Sequence, residues 1–91
     1  MQVKHISGTR GHIVIELTDG RYVYVLGELT MDAKFYADIG RDWFWAKGSV
    51  KRSILPDQDE FLGVVSDEEK EELMRAVRSD QKEGSMRIIF D

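Results

Sequence analysis

The chain predicts an α+β fold: a twisted, mainly antiparallel β-sheet with one helix from the C-terminal region packed on a face, followed by a final strand. Three stretches carry that expectation. HIVIELTDGRYVYVL, residues 12–26, sets two runs of strand-forming residues around an Asp-Gly pair, the composition of a β-hairpin. SDEEKEELMRAV, residues 66–77, has the capping pattern and apolar spacing of an amphipathic helix. MRIIFD, residues 86–91, alternates as a short strand does.

Taken in order, Met1 to Ile6 offers Val3 and Ile6 as positions of a short edge strand, and Ser7 to Gly11 reads as a loop. The hairpin follows. With Asp19 and Gly20 as a two-residue type I′ turn, Leu17 faces Tyr22, Ile15 faces Tyr24 and Ile13 faces Leu26 on one apolar face. The other face, Val14, Glu16, Val23 and Val25, is too apolar to stand fully in water, so part of it should be covered. Gly27 to Asp32 breaks the alternation, and Ala33 to Ile39 resumes it with Phe35, Ala37 and Ile39 on one side. Trp43 to Ala46 and Ser49 to Leu55, joined at Lys47-Gly48, read as a second hairpin. Pro56 to Gly63 has little apolar surface and reads as loop.

The helix should begin after Ser66, whose hydroxyl and the Glu69 carboxylate fit a capping box, with Asp67, Glu68 and Glu69 set against the positive end of the helix dipole. Leu73, Met74 and Val77, with Ala76 beside them, make a narrow stripe suited to a sheet surface. The helix is expected over Asp67 to Lys82, with Gly84 as a left-handed cap. In the last strand Met86, Ile88 and Phe90 share one side, Arg87 and Ile89 the other.

At 91 residues the chain, 1–91, is expected to be one domain with its own core. It has no cysteine, which excludes disulfides and thiolate metal sites and fits a reducing compartment. The opening MQVKHISGTRG lacks a signal-peptide apolar core, and no run of about 18 apolar residues occurs, so the expectation is a soluble cytoplasmic protein without a membrane partner. The net charge of −4 is unevenly spread: Asp57 to Glu72 holds eight acids and one base, a balance of −7 that leaves +3 on the remainder. Such segregation bears on partners and encounter rates.

No sequence motif specifies an enzyme, a cofactor or a metal. There is no glycine-rich phosphate loop, nucleophile elbow or paired-histidine helix. The acids at Asp57, Asp59 and Glu60 lack the central glycine and terminal glutamate of a calcium loop. His12 and Glu16 share a strand face, but four strand residues separate them by roughly 13 Å, too far for direct coupling. A small hydrolase or nuclease would need His12 with a carboxylate brought in by the fold. A nucleic-acid module is the other alternative, through Trp43, Phe44 and Trp45 beside Arg41, Lys47, Lys51 and Arg52; the acidic balance of the chain argues against it.

Capping and the dipole account for Asp67, Glu68 and Glu69, and Glu71 can pair with Arg75 four residues on. Asp57, Asp59, Glu60 and Glu72 have no such local reason, which leaves them as the acids most available to a basic partner. Trp43 and Trp45 are the candidate aromatic anchors, with one of the two expected in the core.

The runs GHIVIELTDGRYVYVLGEL, KFYADIGRDW, SDEEKEELMRAV and MRIIFD, in that order, span most of the chain and resemble a family of small bacterial immunity proteins from polymorphic toxin and contact-dependent growth inhibition systems. Gly27-Glu28 and Phe35-Tyr36-Ala37-Asp38 carry much of that likeness. The resemblance implies a mostly β domain with a late helix, no catalytic residues, and a cognate toxin domain as the protein partner. Between Ala46 and Val65 the chain departs from the family pattern, which has a shorter loop there and a proline soon after the tryptophan.

Overall fold

A computed structural model describes residues 1–8, 11–48, 60–80 and 87–90. In chain order the elements are β1 (Val3–Gly8), β2 (His12–Leu17), β3 (Tyr22–Leu29), β4 (Lys34–Ala37), β5 (Phe44–Ala46), β6 (Phe61–Val64), α1 (Asp67–Ser79) and β7 (Arg87–Phe90). The α+β class expected from the sequence is the one observed: a curled sheet, mainly antiparallel, with a single described helix against it and a final strand.

β3 is the strand on which the sheet divides. One of its edges pairs with β2; along the other, Tyr22, Val23 and Tyr24 pair with β5, and Gly27, Glu28 and Leu29 pair with β4. One branch continues from β5 to β6, and the other from β4 to β7 in parallel. Gly27 sits at the fork, so it does not end the strand as the broken alternation suggests. A Cβ there would come within 2.3 Å of the Tyr36 carbonyl oxygen and 2.6 Å of the Phe35 ring, so the absent side chain is what lets β4 and its core phenylalanine close on β3.

The hairpin forms, but one residue out of the expected register. Its loop has three residues, Thr18, Asp19 and Gly20, closed by the Leu17 N–H donating to the Arg21 carbonyl at 2.8 Å and the Gly20 N–H donating to Leu17 at 3.1 Å. Ile13 therefore faces Val25 and Ile15 faces Val23. A one-residue slip moves a strand's side chains to the opposite face. Here it puts the compact Val23 and Val25 inward with Ile13, Ile15 and Leu17, and sends Tyr22, Tyr24 and Leu26 to the outer face.

The inner cluster joins these residues to Val3, Phe35, Ala37, Trp43, Val65 and Ile88, and to Leu73 and Val77 of α1. On the outer face Val14, Tyr24 and Ala46 are buried beneath Tyr22, Leu26 and Phe61. The Phe61 ring meets Tyr24 edge-on at 5.4 Å between centroids and lies 4.8 Å from Phe44. Of the four residues expected on the second face, this cover reaches Val14; Val23 and Val25 are inside because the register slipped. The cover also explains why Phe61 to Gly63, expected as loop, is strand: its one large aromatic finds a tertiary site that local composition does not reveal. β5 accordingly pairs with β6; Ser49 to Leu55, the partner expected for it, and Pro56 to Asp59 lie outside the described residues.

α1 begins as expected. The Ser66 hydroxyl accepts from the Glu69 N–H at 3.2 Å, while Glu69 Oε1 accepts from the Ser66 N–H at 3.2 Å, the two halves of a capping box. It ends at Ser79, short of the expected Lys82, where the Asp80 N–H donates to the carbonyls of Ala76 and Val77. Gly84 lies outside the described residues. No described helix is long and apolar enough to cross a membrane.

Candidate partner-binding surface

The two tryptophans lie two residues apart on a strand's approach and have opposite surroundings. Trp43 is 0% exposed. Its ring N–H donates to the Asp38 carbonyl at 3.3 Å, and the ring lies 5.8 Å from Phe90. It has no surface with which to touch a partner, so of the two candidate anchors Trp43 is the one that serves the core. Trp45 is half-buried, with the Arg21 guanidinium 4.6 Å from its ring centroid. Arg21, Tyr22, Trp45, Lys47 and the exposed Leu62 line a groove of about 430 Å³ at this end of the sheet.

α1 approaches that groove at Glu69 and Glu72, whose charges act on Arg21. Asp67, Glu68, Glu71 and Glu72 are exposed, and no ion pair between described residues involves them. The Glu71–Arg75 pair expected from helical spacing is thus not made. Lys70, the only base between Asp57 and Glu72, lines a groove with Asp67, Glu68 and Glu71 but spends its ammonium on the backbone: its Nζ donates to the carbonyls of Ile39 at 3.2 Å and Arg41 at 2.7 Å and lies 5.4 Å from the Trp43 ring. Glu69 is committed to the cap, and the hydrogen bonds from Ser66 hold its carboxyl below the usual range, helped by the charge of Arg21. Arg21 in turn is held above its ordinary value first by Asp19 and then, among smaller contributions, by the charges of Glu69 and Glu72. Of the helix acids, Glu69 and Glu72 are therefore electrostatic neighbours of the Trp45 groove through Arg21, whereas Asp67, Glu68 and Glu71 line a separate groove with Ile39, Lys70 and Met74.

Glu60 is exposed, and its carbonyl accepts from the N–H of Lys47, a residue of the Trp45 groove, at 2.8 Å. Burial raises the Tyr24 hydroxyl above its normal value, and the Glu60 charge adds to the shift. Glu72 flanks a groove between α1 and the start of β1, with Met1, Gln2, Val3 and Arg75. Asp57 and Asp59 lie outside the described residues, as do Lys51 and Arg52.

His12, the residue on which an enzymatic alternative would turn, is 2% exposed and stacked on Tyr24 at 4.7 Å between ring centroids. It opens β2 and is buried in the outer-face aromatic cluster. Among the described residues no group of three or more His, Cys, Asp or Glu side chains could hold a metal ion. Two surface residues escaped the sequence reading altogether: Leu62 is 72% exposed and Val64 56% exposed. Leu62 belongs to the segment that reads as loop and Val64 follows it directly, so neither their strand conformation nor their exposure had a signal. No family model, curated protein or solved structure matches the chain.

Proposed function

We propose that the chain is a cytoplasmic immunity protein that binds a cognate bacterial toxin domain and neutralises it by covering its working surface. The observation that carries this reading is the juxtaposition of a half-exposed tryptophan and an apolar groove with the exposed carboxylate of Glu72, whose charge acts on Arg21, on a helix whose other exposed carboxylates, Asp67, Glu68 and Glu71, make no ion pair among the described residues. A desolvated aromatic anchor next to a charged rim is the usual division of labour at a protein interface, the anchor supplying affinity and the rim steering approach. The resemblance of the hairpin, helix and terminal-strand runs to immunity proteins gives the partner its class. Asp57, Asp59, Glu60 and Glu72 complete the acidic side of the proposed interface.

The test is association kinetics with a candidate toxin domain. Reversal of Asp57, Asp59, Glu60 and Glu72 to lysine should slow association about tenfold at low ionic strength, and the difference should shrink as salt is raised. Trp45→Ala should weaken binding by about 2 kcal/mol, roughly thirtyfold, with the fold retained. Equal association rates at low salt would remove the acids from the interface, and unchanged affinity in Trp45→Ala would remove the anchor.

A further inference from the structure

Among the described residues three strands end the sheet: β1, β6 and β7. An edge strand presents unpaired N–H and C=O groups that can template another strand, and natural sheets blunt such edges with charges, prolines or bulges. β1 carries exposed Lys4 and His5 and a register shift between Val3 and His5. β7 carries exposed Arg87. β6 has none of these side chains. Its residues are Phe61, Leu62, Gly63 and Val64, with two large apolar groups turned to solvent and open space where a Gly63 Cβ would be. Its irregularity, opposite Trp45 and Ala46, lies on the side already paired with β5. Exposed carboxylates bracket it in the chain: Glu60 before, and Asp67 and Glu68 just after.

We propose that β6 is a strand-addition site that takes an extended segment of a partner, with apolar side chains alternating between lysine or arginine ends. Main-chain hydrogen bonds to the edge left unpaired among the described residues would supply affinity; contact with Leu62 and Val64, and pairing of the basic ends with Glu60 and with Asp67 and Glu68, would supply selectivity. A second copy of this chain is the poorer occupant, because pairing β6 with itself would bring the same carboxylates to one edge with no basic ends to meet them. For the partner's identity the proposal rests on the toxin-binding reading; the edge chemistry does not.

The probe is an acetylated and amidated peptide, lysine-valine-threonine-valine-lysine, added to the isotopically labelled intact chain. The expected result is saturable amide shifts at Leu62 and Val64 and, at ten times the dissociation constant, about tenfold slower hydrogen exchange at the newly bonded amides. Val64→Lys, a change at an already exposed position, should abolish binding while leaving the melting temperature near that of the parent. A glutamate-ended peptide should bind at least tenfold more weakly at low salt. Shifts that avoid β6, or equal binding by a peptide with methylated backbone nitrogens, would overturn the site; equal binding by the glutamate-ended peptide would overturn its charge selectivity. Toxin captured equally by the parent and by Val64→Lys would also overturn the site while sparing the binder reading. Peptide binding without toxin capture would do the reverse.

Discussion

The loops at the two ends of β3 are built to one plan and filled with different residues. Thr18, Asp19 and Gly20 lead into the strand, closed by the hydrogen bonds between Leu17 and Arg21 and between Gly20 and Leu17. Met31, Asp32 and Ala33 lead out of it, closed by the Thr30 N–H on the Lys34 carbonyl at 2.8 Å and the Ala33 N–H on Thr30 at 3.3 Å. In both the third residue takes a left-handed backbone, φ +92° at Gly20 and +60° at Ala33. In both the middle residue is an aspartate bonded to its neighbours: Asp19 to the Arg21 N–H at 3.0 Å and Nε at 2.8 Å, Asp32 to the Thr30 hydroxyl and, at 3.2 Å, the Lys34 ammonium. A three-residue hairpin loop wants glycine at the position with positive φ. One loop has it and the other holds an alanine there, so strand pairing on either side can impose a turn that local chemistry resists.

The largest way to break the comparison is to make the first loop resist as well. In Gly20→Val the added side chain meets no atom within 4 Å at its Cβ, so the cost is conformational alone. Left-handed backbone is most expensive for a β-branched residue, and the domain should lose about 2 kcal/mol in urea unfolding. Unchanged stability would mean that the positive φ is not required.

The converse change should be smaller and of opposite sign. Ala33→Gly removes roughly 1 kcal/mol of left-handed strain but adds about 0.5 kcal/mol of unfolded-chain entropy, for a net gain of about 0.5 kcal/mol. A variant less stable than the parent would show that the Ala33 methyl contributes more in the fold than its backbone strain costs.

This contrast also explains what the sequence could and could not tell. Asp19-Gly20 announced a hairpin, yet two-residue and three-residue loops share that dipeptide, and the choice between them decides whether Val23 or Tyr24 faces the core. The capping box of α1 was legible to the residue because Ser66 and Glu69 act on one another locally. β6 was not, because what makes Phe61 a strand residue is a pair of rings, Tyr24 and Phe44, that are distant in sequence. Of the candidate site, one tryptophan was expected in the core and Trp43 is there, but which of the two it would be depends on the loop that Lys70 ties to the helix through Ile39 and Arg41. The exposure of Leu62 and Val64 follows from the same tertiary choice that made β6 a strand.

The smallest effect, and the one that sharpens the comparison most, is its pH dependence. The Arg21 side chain first, and its backbone N–H second, hold the Asp19 carboxyl below the usual aspartate range; the Thr30 hydroxyl first, and Lys34 second, do the same for Asp32. A carboxyl whose pKa is lower folded than unfolded adds stability that is fully present above the unfolded value of about 3.9 and is lost as pH falls through the folded value. Asp19→Asn and Asp32→Asn should therefore each melt below the parent at pH 7, with gaps that close as pH drops below about 4. Both groups are exposed, so the gaps should be small. Salt should separate them: the Asp19 gap, set mainly by an ion pair with Arg21, should shrink at high ionic strength, whereas the Asp32 gap, set first by a neutral hydroxyl, should persist. Melting curves of the three proteins at two pH values and two salt concentrations decide it. A gap that widens toward low pH would reverse the sign assigned to these aspartates, and equal salt sensitivity would mean that the two turns are held by the same force.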